Sequence, residues 1–278
     1  VRKPRKVKLK KEHDPKHWAE QYREKYGAAA NPMGYGRAVF ERSKQLGLAE
    51  TVETLTALEQ SGVSGIRRLL VAANSAAADA SGVPADRVAA ARLLAQHVRL
   101  LGMARDVPDM AKGTRSSTLK DALAKNRAWW SHLSSGRLDL PWVDWKKINA
   151  DRGYYSPSRR AVHIGPKRIA ETAIHEYAHA VEHIGNLAGK AKAFVAARTK
   201  GESLRRLAVL LPGHGYGRDE VARPDDFISP YIGKEYPRSD LSEVPSTLCG
   251  MIADGQLPEV LAKDPESAFF VLGWLVGS

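Results

Sequence analysis

Residues 172–185 read TAIHEYAHAVEHIG, and this stretch decides what the rest of the chain can be. Ile169, Ala173, Tyr177, Ala180 and Ile184 recur at steps of four, four, three and four residues, the period of a helix with one buried stripe. Gly165 and Pro166 mark its opening, and Gly185 is placed to end it. On that helix His175 and His179 are neighbours on one face. Each can turn a ring nitrogen toward the same tetrahedral zinc ion, and Glu176 can reach a water held there. Nine His and sixteen Glu in 278 positions would produce HExxH in about 2% of shuffled chains, so composition alone does not account for the motif.

A catalytic zinc takes three protein ligands and keeps one position open. His183 lies eight residues past His175, roughly 12 Å of axial rise on an unbroken helix, which is too far for a shared ion. Glu182 fails for the same reason. A histidine at the tenth position after the first would serve, but that position is Gly185. Two downstream candidates are left, His214 in GHGYG and Glu243 in DLSEVPSTLCG. Glu243 is favoured, because a residue near the start of a second packed helix is held rigidly, whereas GHGYG reads as a mobile loop. His214 stays open as a ligand or as a donor facing substrate. The single cysteine, Cys249, excludes a disulfide framework and a cysteine-rich metal knuckle, so any metal must be held by His and carboxylates.

Working outward, GYYSPSRRAVHI at 153–164 sets a polar turn between two short runs of β-type residues and predicts a hairpin, with 161–164 as its second strand. A helix over about 116–132 ends near Trp129 and Trp130, read as core or interface residues. Between 85 and 103, Ala91, Leu94, Val98 and Leu101 repeat at three- and four-residue steps, with Arg87, Arg92 and Arg99 off that stripe. Residues 50–60 and 64–80 read similarly, so an Ala-rich helical bundle is expected within 37–112. His97 there is read as a packing residue. AAANPMGYG at 28–36, with Asn-Pro and two glycines, reads as a loop.

The net charge is +12, and residues 1–26 hold ten Lys and Arg against four Asp and Glu. Arg2, Lys3, Arg5, Lys6, Lys8, Lys10 and Lys11 repel one another and are expected to lack structure in isolation. They suit nucleic-acid phosphates or another acidic surface, and equally a solvated tail. Trp18, Tyr22 and Tyr26 then fall on one helical face, beside His17, as a docking helix would place them. A content of 43% hydrophobic and 27% charged residues excludes collagen-like and wholly disordered chains. No apolar run reaches the roughly 18–20 residues that span a bilayer, and no secretion signal is visible at the basic, polar N-terminus.

The expected architecture is α+β and mostly helical. It comprises a basic arm and docking helix (1–36), the helical bundle (37–112), and a C-terminal domain (113–278) with a small sheet, the HExxH helix and a second ligand helix. From residue 153 onward the chain resembles the zincin-type metallopeptidase domains of phage minor head (head morphogenesis) proteins and related toxin-like polypeptides. Four segments carry the resemblance: GYYSPSRRAVHIG, TAIHEYAHAVEH, DDFISPYIGKEY, and SEVPSTLCGM followed by DPESAFFVLGWL. Residues 1–110 carry none. The resemblance implies His175, His179 and Glu243 as zinc ligands and Glu176 as general base. It also implies a protein or peptide substrate, other virion proteins as partners, and a place in a phage virion or the host cytoplasm. One departure is Pro245, two residues after Glu243, which requires either a helix beginning at Ser242 with Pro245 in its first turn or an altered ligand geometry.

If zinc is bound, the pKa of its water falls from about 15.7 toward about 7, and Glu176 takes the proton and returns it to the leaving nitrogen. Tyr231 or Tyr236 in ISPYIGKEY is placed to donate to the developing oxyanion, and the sequence does not choose between them. Residues 161–164 are expected to bind an extended substrate by edge addition. An alternative reading is a structural phage component whose zincin fold is a scaffold and whose arm contacts DNA or a neighbouring subunit.

Overall fold

The computed structural model describes residues 14–45, 143–150, 152–165, 169–185, 187–237, 239–254 and 256–276, together with Leu123, Asn126, Trp129, Trp130, Leu138 and Leu140. The basic run 2–11, the helices expected at 50–60, 64–80 and 85–103, and His97 lie outside these residues. Among the described residues the longer helices are α1 (Pro15–Tyr26), α2 (Ala30–Gln45), α3 (Ile169–Ile184) and α4 (Ala188–Arg198). After a one-turn α5 (Leu207–Leu210) come α6 (Glu243–Ala253), α7 (Leu257–Lys263) and α8 (Pro265–Val276). Strands β1 (Asp144–Lys147), β2 (Tyr154–Ser156) and β3 (Ala161–Ile164) form one sheet, and β4 (Arg205–Arg206) with β5 (Val221–Ala222) forms a short ribbon. The described architecture is therefore α+β and mostly helical.

The expected hairpin is present, with Tyr154 opposite His163, Tyr155 opposite Val162 and Ser156 opposite Ala161. Its turn is a 3₁₀ segment, Pro157–Arg159, closed by Arg160 in the left-handed region at φ 46°. The sequence reading did not foresee β1, which pairs parallel to β3 on the other side. That makes β3 the central strand of the order β1-β3-β2. Residues 161–164 have no free edge, so the expected edge addition of substrate to that strand is corrected. Its backbone groups are already paired on both sides.

Residues 28–36 are also corrected, from a loop to helix: a 3₁₀ turn, Gly27–Ala29, runs into α2. Pro32 falls in the first turn of α2, where its missing N–H costs no helical bond. Gly34 and Gly36 sit at helix crossings. A Cβ on Gly34 would meet the backbone of Pro15 and Ala19, and one on Gly36 would meet the backbone of Phe269. These glycines therefore allow close packing of backbones. The docking helix α1 packs into the same core as the HExxH helix: Tyr26 stacks on Phe194 at 5.5 Å, and Phe194 on Phe270 at 4.6 Å. A boundary at residue 36 thus falls inside α2.

The buried face of α3 is built as its sequence period requires. Ala173, Tyr177 and Ala180 are fully buried, and Ile184 packs against the same cluster. Tyr177 lies within the HExxH motif but faces backward. It stacks on Trp145 at 5.7 Å and contacts Trp130 at 5.3 Å. Its hydroxyl accepts from the Leu140 N–H at 2.6 Å and donates to the Leu138 carbonyl at 3.3 Å. Trp129 and Trp130 are buried, as expected of core residues. No helix among the described residues is long and apolar enough to cross a membrane.

Candidate metal centre

Helix α3 presents His175, Glu176 and His179, and the start of α6 is packed against it. Ser242 caps α6, its hydroxyl accepting from the Val244 N–H at 3.2 Å, so Glu243 is the first helical residue. Pro245 then falls in the first turn, where it removes no helical hydrogen bond. The cap thus reconciles Pro245 with a regular helix and sets the fully buried Glu243 carboxylate against the two imidazoles.

His175 Nε2 lies 3.2 Å and His179 Nε2 lies 3.5 Å from the same oxygen, Glu243 Oε2. The three donor atoms lie within 4.8 Å of one another, close enough to hold one metal ion. Ligand atoms about 2.0–2.2 Å from a tetrahedral ion stand about 3.3–3.5 Å apart, and the two Nε2–Oε2 separations match that spacing. His214 is not part of the group. It is exposed in the loop between Gly213 and Gly215, both at positive φ, and stacks on Tyr216 at 6.1 Å. His183 points elsewhere, pairing its Nδ1 with the Tyr155 hydroxyl at 3.0 Å.

The charge balance also fits a cation. Glu176, Glu182 and Glu243 are all buried around two imidazoles, and buried carboxylates without compensation are costly. Burial alone would raise the Glu243 carboxyl. The charge and hydrogen bond of His175, with the His179 hydrogen bond, outweigh it and hold the carboxyl well below the usual range. Burial opposes charge on His179, but hydrogen bonds to Glu182 and Glu243 overcome it and raise the imidazole well above its ordinary value. The field that favours a proton on this ring equally favours a metal ion beside it.

The role of Glu182 was not visible as such in the sequence, where it appeared only as a rejected ligand. Its Oε2 lies 3.5 Å from His179 Nδ1 and accepts the Ser242 N–H at 3.1 Å. One carboxylate therefore orients the imidazole, leaves Nε2 for an ion, and ties α3 to the start of α6. The three-residue step from His179 to Glu182 on a helix was the available signal. Glu182→Gln is expected to weaken zinc affinity about 10- to 100-fold, measured by competition with a chromophoric chelator. Unchanged affinity would remove this role.

Both candidate tyrosines reach the centre. Tyr236 donates to Glu243 Oε1, while Ser246 Oγ donates to Oε2 at 2.7 Å. The ring of Tyr231 lies 6.4 Å from that of His175. Burial first, then the Glu243 charge, raises both phenols, so they stay protonated donors. Their segment is fixed by a 3₁₀ turn, Pro230–Gly233, in which the Ser229 hydroxyl accepts from the Tyr231 N–H at 3.3 Å. Glu176 is 8% exposed and directly follows His175 on α3. Gly153 lies beside it: a Cβ there would be in ordinary contact with Glu176 Cγ at 3.5 Å but would clash with Thr172 Cγ2 and the His163 carbonyl. A cleft of about 530 Å³ opens beside Tyr236 and Ser242 and is lined in part by Lys192, Thr199 and Arg223. Cys249, fully buried in α6, has its thiol pushed well up by burial and by Glu182, which makes it inert.

Comparison of the chain with models of protein families, with curated proteins and with solved structures finds no significant match.

Proposed function

We propose that this chain is a zinc-dependent peptidase with a zincin-like domain. The observation that carries the reading is the convergence of His175 Nε2 and His179 Nε2 on Glu243 Oε2, with Glu176 one residue along the same helix. Bound there, zinc supplies a Lewis acid that polarises a carbonyl and acidifies water. Glu176 accepts the proton of the attacking water on its carboxylate and returns it to the leaving nitrogen. Tyr231, on the His175 side, donates to the developing oxyanion. Tyr236 acts through Glu243, holding its Oε1, and Glu182 keeps the His179 ring in register. Metal analysis of the protein, paired with cleavage of a generic unfolded protein, tests this. A chain that takes up no zinc ends the proposal.

The four segments resembling phage head-protein domains, together with the charge of residues 1–26, favour a second role alongside the first. In that role the protein is a virion component whose arm contacts DNA or a neighbouring subunit. Deleting residues 1–11 is then expected to abolish salt-sensitive DNA binding while leaving zinc content unchanged. DNA binding that survives the deletion would rule out the arm as the contact.

A further inference from the structure

Arg152 lies beside the tyrosines of this centre, and the proposed hydrolysis leaves its chemistry unused. Its guanidinium carbon lies 5.6 Å from the Tyr216 ring centroid, and Tyr216 stacks on Tyr231 at 5.7 Å. Tyr231 in turn lies 6.4 Å from His175, ring centre to ring centre. An aromatic stack therefore runs from a candidate metal ligand to a guanidinium. The side chain is nonetheless 60% exposed, so part of its donor fork faces solvent.

Among the described residues Arg152 pairs with Glu220, with Nη1 and Oε2 3.7 Å apart, beyond hydrogen-bond length. Glu220 is already engaged. Its Oε1 accepts Lys234 Nζ at 2.8 Å, and its Oε2 accepts the Gly217 N–H at 2.8 Å. Both oxygens of Glu220 are thus taken, and among the described residues Arg152 has no carboxylate at hydrogen-bond distance. A guanidinium offers a planar pair of donors that matches a carboxylate. Packing against Tyr216 restrains the side chain and lowers the entropy lost when it binds.

We propose that Arg152 binds a carboxylate of the substrate, so that the centre favours peptides with an acidic group next to the bond to be cut. This rests on the peptidase reading for the word substrate, but its test measures binding. The carboxylate can come from an Asp or Glu side chain or from a peptide C-terminus, which share the same chemistry. The full-length protein carrying Glu176→Gln, loaded with zinc, is titrated into fluorescein-labelled pentapeptide pools and followed by anisotropy. Two pools are blocked at both ends and carry Glu or Gln at the central position, with the other positions randomised. A third carries Gln and a free C-terminal carboxylate.

The Glu pool, the free-carboxylate pool, or both are expected to bind about tenfold or more tighter than the blocked Gln pool. Which of them does so identifies the source of the group. Adding Arg152→Gln is expected to remove the difference while zinc content stays the same. A purely structural Arg152 would weaken all three pools alike. Equal binding of the pools to the protein that retains Arg152, absence of binding included, would overturn the proposal, as would discrimination that survives Arg152→Gln. Failure of the peptidase reading is a separate result: no cleavage by the unsubstituted chain, with the pool difference intact.

Discussion

Glu176→Gln should retain zinc at the wild-type stoichiometry and lower peptide hydrolysis about 10²- to 10⁴-fold, the range that general-base removal produces. The substitution keeps shape and volume in a position that is 8% exposed. What it removes is the lone pair that accepts a proton from water, because an amide oxygen is far too weak a base at neutral pH. It also deletes one of three buried negative charges around the imidazoles, so some loss of zinc affinity accompanies it. Activity assays are therefore run at saturating zinc, with metal content read by elemental analysis. Hydrolysis within a factor of a few of wild type would show that Glu176 is not the base.

Glu243→Ala should abolish zinc-induced stabilisation. An ion that binds only the folded chain stabilises it by about 2.7 kcal/mol at a concentration one hundred times its Kd. For a chain of this size each kcal/mol raises Tm by about 2–4 °C, so the wild type should melt several degrees higher with zinc than with a chelator. Without the Glu243 carboxylate, His175 and His179 offer only two donors and the shift should vanish. The comparison is made within each protein, with and without zinc. The variant also loses the Tyr236 and Ser246 hydrogen bonds, and its baseline melting temperature moves for that reason. A zinc-dependent shift equal to that of wild type would transfer the third ligand to another residue. His175→Ala should behave like Glu243→Ala and lose both zinc and hydrolysis.

The legible part of this protein is the part whose physics is local. A four-residue step puts two histidines on one helical face whatever surrounds it, and the inward positions of α3 repeat at the helical period. The 153–164 hairpin was readable because its turn residues lie between two β-type runs. The same local reading misjudged 28–36. Asn-Pro and two glycines signal a loop in isolation, but here the proline occupies a first turn and the glycines allow α2 to approach α1 and α8. Their reason lies on other helices. The role of β3 was misread for a related cause, since no pattern at 161–164 announces that β1, remote in the turn-by-turn reading, will pair with it.

Sequence by itself determined that His175, Glu176 and His179 share a helix and that Cys249 has no cysteine to pair with. Spacing on one element and composition are properties that no tertiary contact can alter. Only the tertiary structure decided that Glu243, and not His214, completes the donor group. Only there does Glu182 bind both His179 and Ser242, and Arg152 pack on Tyr216. Those contacts join residues far apart in the chain, and such a distance closes only when helix caps, strand order and buried faces bring separate segments together at once.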